Sequence, residues 1–351
     1  MRFETVHPKE LGQADIEKWR SHQRAGTLSP YLTPDWAQLI GAARADARVV
    51  IVNDGEGYFG AQRLSRFSAM GLGAPISDYQ GLVGREGLEI APARLCRALS
   101  VGRIDLTHVP AGATPFKAAG AEGSWIAETQ SSSELYEAAL RTRRAEFVRQ
   151  TDKKARKLER ERGQIEFRAQ SSDRADFETL VSWKNTQLQR TGQPEIWAAP
   201  WVRQTLDRCF ATREPSFGGA LFTLSVDGAM AAGAFCLRSG GVLHFWIVAH
   251  DGAFDAYSPG VQLARRIIGW AADHGVTEVD FGPGDYQYKR QLSTTQRMLE
   301  WGVVAGASFS GAVRRGAHGL RSQIEKAPQP KLAALPGKAM RRLDLMRALG
   351  A

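Results

Sequence analysis

The sequence predicts a mixed α/β (α+β) fold built twice, each time as a sheet with flanking helices. Three observations carry this. Short strands alternate with tight turns over residues 219–249, a helix and a further strand follow, and a fainter copy of the series lies about half a chain earlier.

In the second half, "GALFTLSV" (219–226) meets Asp227-Gly228, a two-residue hairpin signal, and returns as "AAGAFCLR" (231–238). Ser239-Gly240-Gly241 turns the chain into "VLHFWIVA" (242–249). A helix comes next, with Ser258 at the N-cap, Pro259 at the first position and Gly275 as the stop. Ala264, Ile267, Ile268 and Ala271 fall at i, i+3, i+4 and i+7 and give it one apolar face. "TEVDF" (277–281) is the strand after it, cut short by Gly282-Pro283-Gly284.

The first half follows the same order. "ARVVIVN" (47–53) meets Asp54-Gly55 and returns as "GYFGAQRLSRF" (57–67); "IAPARLCRALS" (90–100) is helical and "RIDLTHV" (103–109) extended. Asp54 and Asp227 are 173 residues apart, and Asp105 and Asp280 are 175 apart, which predicts a duplicated unit. A basic helix over 134–162 would join the halves.

A chain of 351 residues that is 43% hydrophobic can fill two cores. The three cysteines, Cys96, Cys209 and Cys236, are scattered and form no CxxC, so neither a disulfide framework nor a metal site is expected. "MRFETVHPKE" has no apolar stretch behind its charges, and no run reaches the ~20 apolar residues of a membrane span. A cytoplasmic protein is expected. Its net charge of +9 is uneven. Residues 138–160 hold nine Lys/Arg against three Asp/Glu, and residues 313–351 hold nine against two. Such segments suit phosphate-bearing partners or an anionic membrane face, and equally a solvated helix and tail.

The densest chemistry is "TEVDFGPGDYQYKRQL" (277–292), which sets Asp280, Asp285, Tyr288 and Lys289 around two glycines at a strand end, where ligands of open sheets collect. Asp285 and Lys289 are spaced i, i+4, as an ion pair or as two groups on one face. "YSPGVQL" (257–263) opens a helix with a glycine, so the amides of Gly260, Val261 and Gln262 beside Ser258 could meet a pyrophosphate. His244 lies mid-strand, as a base or as a satisfied core histidine. In "DRADFETLVSWKNTQLQRTG" (173–192), Phe177, Val181, Lys184 and Leu188 share a face, so Lys184 interrupts an apolar stripe. Trp183, Trp197 and Trp201 offer either stacking surface for a sugar or core.

At "DFGPGDYQYKRQL", "YSPGVQL" and "GAPISDYQGLVG" (73–84) the chain resembles the CelD/BcsL-type double-GNAT acyltransferases, relatives of the Fem peptidyltransferases. Holdfast-type exopolysaccharide N-acetyltransferases look most similar. The resemblance implies tandem GNAT-like domains: residues 1–145 on the acceptor side, residues 146–312 on the acyl-CoA side, and a basic tail over 313–351. It implies acetyl-CoA as co-substrate with no tightly bound cofactor, and a saccharide or lipid-linked saccharide acceptor. Asp285 would be the general base or acceptor orienter and Tyr288 the acid for the leaving thiolate, with Asp280 and His244 beside them. Ser258, Gly260, Val261, Gln262 and Lys289 would hold the donor. Asp78, Tyr79 and Gln80, with Lys184 and Trp183, would hold the acceptor.

Two other functions stand beside this one. A Fem-like transferase would draw its donor from aminoacyl-tRNA; against nucleic acid, the basic helix also carries Glu146, Asp152 and Glu159, with no aromatic RNA module. A degenerate GNAT would sense a ligand without turnover. In the tail, Arg314, Arg315 and Arg321 surround Gly316 and Gly319, an arrangement suited to binding anions. Met340, Leu343 and Met346 recur beside Arg341, Arg342 and Arg347. Cyclic di-GMP or an anionic surface at the inner membrane are the ligands expected there.

Overall fold

The computed structural model describes residues 1–25, 29–112, 118–214, 216–325 and 330–350. They form two compact units, one of Met1–Glu122 with Met298–Ala351 and one of Gly123–Arg297. The fold is mixed α/β throughout.

In chain order, the first unit opens with β1 (Phe3–Val6), α1 (Gln13–Ala25), α2 (Pro34–Ala43), β2 (Ala47–Val52), β3 (Gly57–Ser65), β4 (Ser68–Gly71), β5 (Leu82–Gly84), α3 (Pro92–Ala98) and β6 (Ile104–Pro110). The second unit is built from β7 (Gly120–Glu128), α4 (Ser133–Arg143), α5 (Ala145–Arg162), β8 (Ile165–Ser171), α6 (Arg174–Arg190), α7 (Pro200–Ala211), β9 (Arg213–Glu214), β10 (Phe217–Val226), β11 (Ala229–Ser239), β12 (Val242–His250), α8 (Pro259–Asp273), β13 (Glu278–Pro283) and α9 (Gln287–Leu292). The chain then returns to the first unit through β14 (Thr295–Val304), α10 (Phe309–Ile324) and α11 (Pro330–Leu349).

Each unit has the same strand order. The first runs β1-β2-β3-β4-β6-β14 and the second β8-β10-β11-β12-β13-β7. The senses agree as well: β4 with β6 and β12 with β13 are parallel, and the other neighbours along both runs are antiparallel. The last strand of each run is exchanged in sequence. β7 follows β6 along the chain but pairs with β13, and β14 follows β13 but pairs with β6.

A bulge sits at the same place in both runs. Thr107 and His108 of β6 lie opposite Trp301, and Phe281 and Gly282 of β13 lie opposite Trp125. By this marker Leu106, not Asp105, is the counterpart of Asp280. The two aspartates accordingly have different partners.

The Asp227-Gly228 hairpin forms, with φ of 47° and 80°, the left-handed pair that matches strand twist. The apolar face of α8 is buried as its spacing predicts: Ala264, Ile267, Ile268 and Ala271 are at most 1% exposed, in one core with Phe222, Leu243 and Val279. Each isoleucine so buried contributes about 1.5–3 kcal/mol. The first unit has its own core around Val50, Phe59, Leu95, Ile104 and Leu106. The joining helix is two helices, broken at Arg144, where ψ is 46°. Arg265 of α8 holds both arms of this elbow, with Nε 2.6 Å from Glu137 of α4 and Nη1 2.6 Å from Asp152 of α5.

The tail is two helices packed into the first unit. Asp105 is 3% exposed; it accepts a hydrogen bond from Arg103 Nε at 3.0 Å and is ion-paired with Arg314 (Nε at 3.1 Å) and Arg347 (Nη1 at 3.6 Å). Arg314 also pairs with Asp344, and Arg321 lies 4.0 Å over the Trp301 ring while bonding Glu325 at 2.7 Å. Arg314 and Arg321 thus serve internal pairs rather than the expected ligand, and only Arg315 of the three stays exposed. Burying Asp105 requires such partners, because an uncompensated carboxylate in the interior is strongly disfavoured. Arg314→Met should therefore lower unfolding free energy by about 3 kcal/mol, read from urea denaturation; a loss within the error of the wild-type value would show that α10 is not anchored by this network.

Candidate active site

The parallel pairing of β12 with β13 spans only Val242↔Glu278, Leu243↔Val279 and His244↔Asp280. β12 runs on to His250, so its edge beyond His244 leaves β13. Asp280, 1% exposed, stands at the parting point. Its Oδ1 accepts from Ser124 Oγ at 2.7 Å and from the Gly282 amide at 2.8 Å. Its Oδ2 is 3.5 Å from His244 Nδ1 and 3.9 Å from Arg297 Nη1. The Gly282 φ of 72° lets the backbone double back onto that carboxylate. His244 is fully buried, which places it in a structural pair with Asp280.

Lys289 is also turned inward. It is 6% exposed and donates to the carbonyls of Gly282 at 3.1 Å and Pro283 at 2.7 Å. It pins the end of β13 and is not placed to hold a donor anion. Asp285 is on the surface, its side chain 69% exposed and bonded to Arg290 Nη1 at 2.5 Å rather than to Lys289. The expectation of a carboxylate in a partly closed cleft is not met there.

A cleft of about 560 Å³ opens beside the start of α8. Of the predicted residues it gathers Ser258, Val261 and Tyr288, and it adds Arg143, Arg144 and Lys154 from the α4–α5 elbow. Lys154 Nζ donates to Ser258 Oγ at 2.8 Å. Ser258 is left-handed (φ 53°, ψ 54°) and makes no side-chain cap, so its hydroxyl belongs to the cleft. Gln262 is buried, its Nε2 bonded to the Tyr257 carbonyl at 2.9 Å; it fixes the loop from inside. A Cβ on Gly260 would meet only His250 Nδ1 at 3.8 Å, so this glycine borders open space. Burial pushes the Tyr288 phenol well above its usual range, with Tyr286 and Cys236 adding to the rise, so Tyr288 holds its proton at neutral pH. The cationic lining was missed as a site, although the basic run over 138–160 carried its signal.

The remaining predicted residues lie elsewhere. Lys184 is half-buried on α6, its Nζ 3.1 Å from Gln187 Oε1, and burial lowers its pKa. Trp183 beside it is half-buried, while Trp197 and Trp201 are core. In the first unit, Tyr79 and Gln80 are buried. Gln80 bonds β6 twice, accepting from the Thr107 amide at 2.9 Å and donating its own amide to the His108 carbonyl at 3.0 Å. Those two residues hold the loop to the sheet; only Asp78 of the three reaches toward solvent. Among the described residues no cluster of His, Cys, Asp or Glu could hold a metal, and no helix is long and apolar enough to cross a membrane.

Residues 145–290 match the acetyltransferase (GNAT) domain family. The solved structures that resemble the chain include a C-terminal domain (DUF2156) assigned to lysylphosphatidylglycerol synthetase from Agrobacterium fabrum. It is 12% identical, with a TM-score of 0.53 over 88% of this chain and 96% of that one. A conserved protein of unknown function from Bacteroides thetaiotaomicron gives 12% and 0.53 over 86% and 100%. FemX gives 14% and 0.51 over 86% and 96%. No curated protein matches the chain closely enough to count as a relative. The matched segment contains the parted strands and most of the cleft's lining, including Lys154, Ser258 and Tyr288, while Arg143 and Arg144 lie just before it; over these residues the match supports an acyltransferase of the GNAT type.

Lys289→Met would leave two strand-end carbonyls without their buried cation. The expected result is a stability loss of about 1–3 kcal/mol in denaturant unfolding. A change in donor KM with unaltered stability would instead make Lys289 a ligand-binding residue.

Proposed function

We propose that the second unit transfers an acyl group, in the simplest case acetyl, from acyl-CoA to an amine. The observation that carries this is the cleft at the start of α8, where Arg143, Arg144 and Lys154 meet Ser258 and Tyr288. The Val261 and Gln262 amides donate to the Ser258 carbonyl at 3.2 and 3.3 Å, so it is the partial positive charge of the helix start and the three cations beside it, rather than those amides, that suit the phosphates of CoA. The β12 edge beyond His244 offers backbone groups along which a pantetheine arm can lie as an added strand.

The chemistry asks little of side chains. A neutral amine nitrogen attacks the thioester carbonyl carbon and a C–N bond forms. Backbone N–H groups of the β12 edge steady the oxyanion while the C–S bond breaks. The amine nitrogen gives up one proton to solvent water, the CoA thiolate leaves with the proton of Tyr288, and the phenolate, disfavoured by burial, takes a proton back from solvent. A saccharide acceptor, in the setting of exopolysaccharide synthesis, rests on the resemblance of residues 73–84 and 280–292 alone.

Thiol release from acetyl-CoA, run beside charged tRNA as donor, tests the reading. Lys154→Met should raise the acetyl-CoA KM roughly tenfold, since a charge-assisted hydrogen bond contributes about 1.5–3 kcal/mol. Tyr288→Phe should lower kcat by about 10²-fold at unchanged KM. Turnover with charged tRNA and none with acetyl-CoA would replace this donor with an aminoacyl one.

A further inference from the structure

Residues 72–81 set the first unit apart from the second. β5 lies on the same edge of β3 as β4 does, and in the same sense. Met70 and Gly71 pair with Gln62 and Ala61, while Leu82, Val83 and Gly84 pair with Phe59, Tyr58 and Gly57. β4 and β5 together thus take the place that β12 fills against β11, with residues 72–81 inserted between them. The insertion is tied by Gln80 to Thr107 and His108, beyond the point where β4 and β6 stop pairing. A thioester arm has no free edge to lie on here, so the first unit does not repeat the cleft of the second.

Beside β5 and the start of α3 is a cavity of about 810 Å³. Leu32, Leu82, Val83, Leu88, Ile90 and Pro92 make most of its wall apolar. Two lining residues are both polar and buried: Gln23, 6% exposed, and Gln80, 4% exposed. Each spends one end of its carboxamide on the protein. Gln23 Nε2 donates to the Ser29 carbonyl at 2.9 Å, and Gln80 Oε1 accepts from the Thr107 amide at 2.9 Å. The other two ends, the Gln23 oxygen and the Gln80 amino group, have no hydrogen-bond partner among the described residues and are not sealed from solvent. One fixed acceptor and one fixed donor therefore open on the cavity, in a setting where polar groups are ordinarily satisfied. The charges lie at the rim: Arg85 is exposed and 3.3 Å from Glu56, and Glu89 is exposed. An ionic group placed against two neutral carboxamides would lose its hydration without gaining a counter-charge. The cavity suits an uncharged ligand.

We propose that the first unit binds an uncharged, amide-bearing small molecule in this cavity. A carbonyl oxygen of the ligand accepts from Gln80 Nε2, an N–H donates to Gln23 Oε1, and its apolar part lies on Leu82, Val83 and Ile90. N-acylated sugars and N-acylated amino acids share this chemistry. The site stands on the first unit alone and needs no assumption about the reaction of the second.

Saturation-transfer NMR on the full chain without acyl-CoA tests this with two amides, N-acetylglucosamine and N-acetyl-leucinamide, beside their ionic counterparts glucosamine and leucine. The expected result is transfer to at least one amide and to neither ionic compound, and the amide that responds separates a saccharide from an amino-acid source. Gln80→Glu keeps an oxygen for the Thr107 amide but removes the donor, and should weaken the bound amide at least about fivefold. Ala91→Trp puts a large side chain at an exposed position of the lining and should abolish binding with Tm unchanged. If Gln80→Glu does not fold, Ala91→Trp decides alone. No transfer to either amide would leave the two carboxamides to water and overturn the site. Transfer to the ionic compounds as strong as to the amides, or full affinity in the folded variants, would overturn it equally.

Discussion

Everything at the candidate active site depends on the parallel pairing of β12 and β13 stopping after three residues. A parallel ladder that continued would close the edge on which a thioester arm could lie. Asp280 stops it by taking the Gly282 amide for itself, and Ser124 and His244 keep that carboxylate in place. Lys289 then ties down the carbonyls on the far side of the turn. The polar residues of this segment spend their hydrogen bonds on backbone that a regular sheet would have paired.

This explains why the segment was conspicuous in the sequence and why its roles were misassigned. Gly282, Gly284, Asp280 and Lys289 mark an unusual backbone, which sequence alone can signal. Whether a carboxylate faces ligand or its own chain depends on rotamer and register, which it cannot. Asp285 shows the same limit, because its partner Arg290 is five residues away and competed with Lys289 at the better helical spacing. The α8 face and the hairpins were legible because their signals are local and periodic. The cleft beside α8 was half legible: Ser258, Val261 and Tyr288 were singled out, but Arg143, Arg144 and Lys154 were visible only as charge.

Charge in this protein does two kinds of work. On the elbow of α4 and α5 it lines a cleft, while Arg265 clamps the two helices from behind. In α10 and α11 it is folded inward upon Asp105 and Asp344. A net positive segment is therefore not in itself a binding surface, and arginine count over 313–351 overstates what a ligand could meet.

The exchanged strands constrain how the protein is born. On a ribosome the chain emerges from its N-terminus, and β6 is synthesised almost two hundred residues before its partner β14. Until then the first sheet ends in an open edge of unmet amides and carbonyls, the kind of template that recruits other nascent chains. The second sheet has no such delay, since β7 is made before β13. The later half is thus able to close first, and the earlier half completes its sheet only once β14, which follows the whole second unit along the chain, has been made.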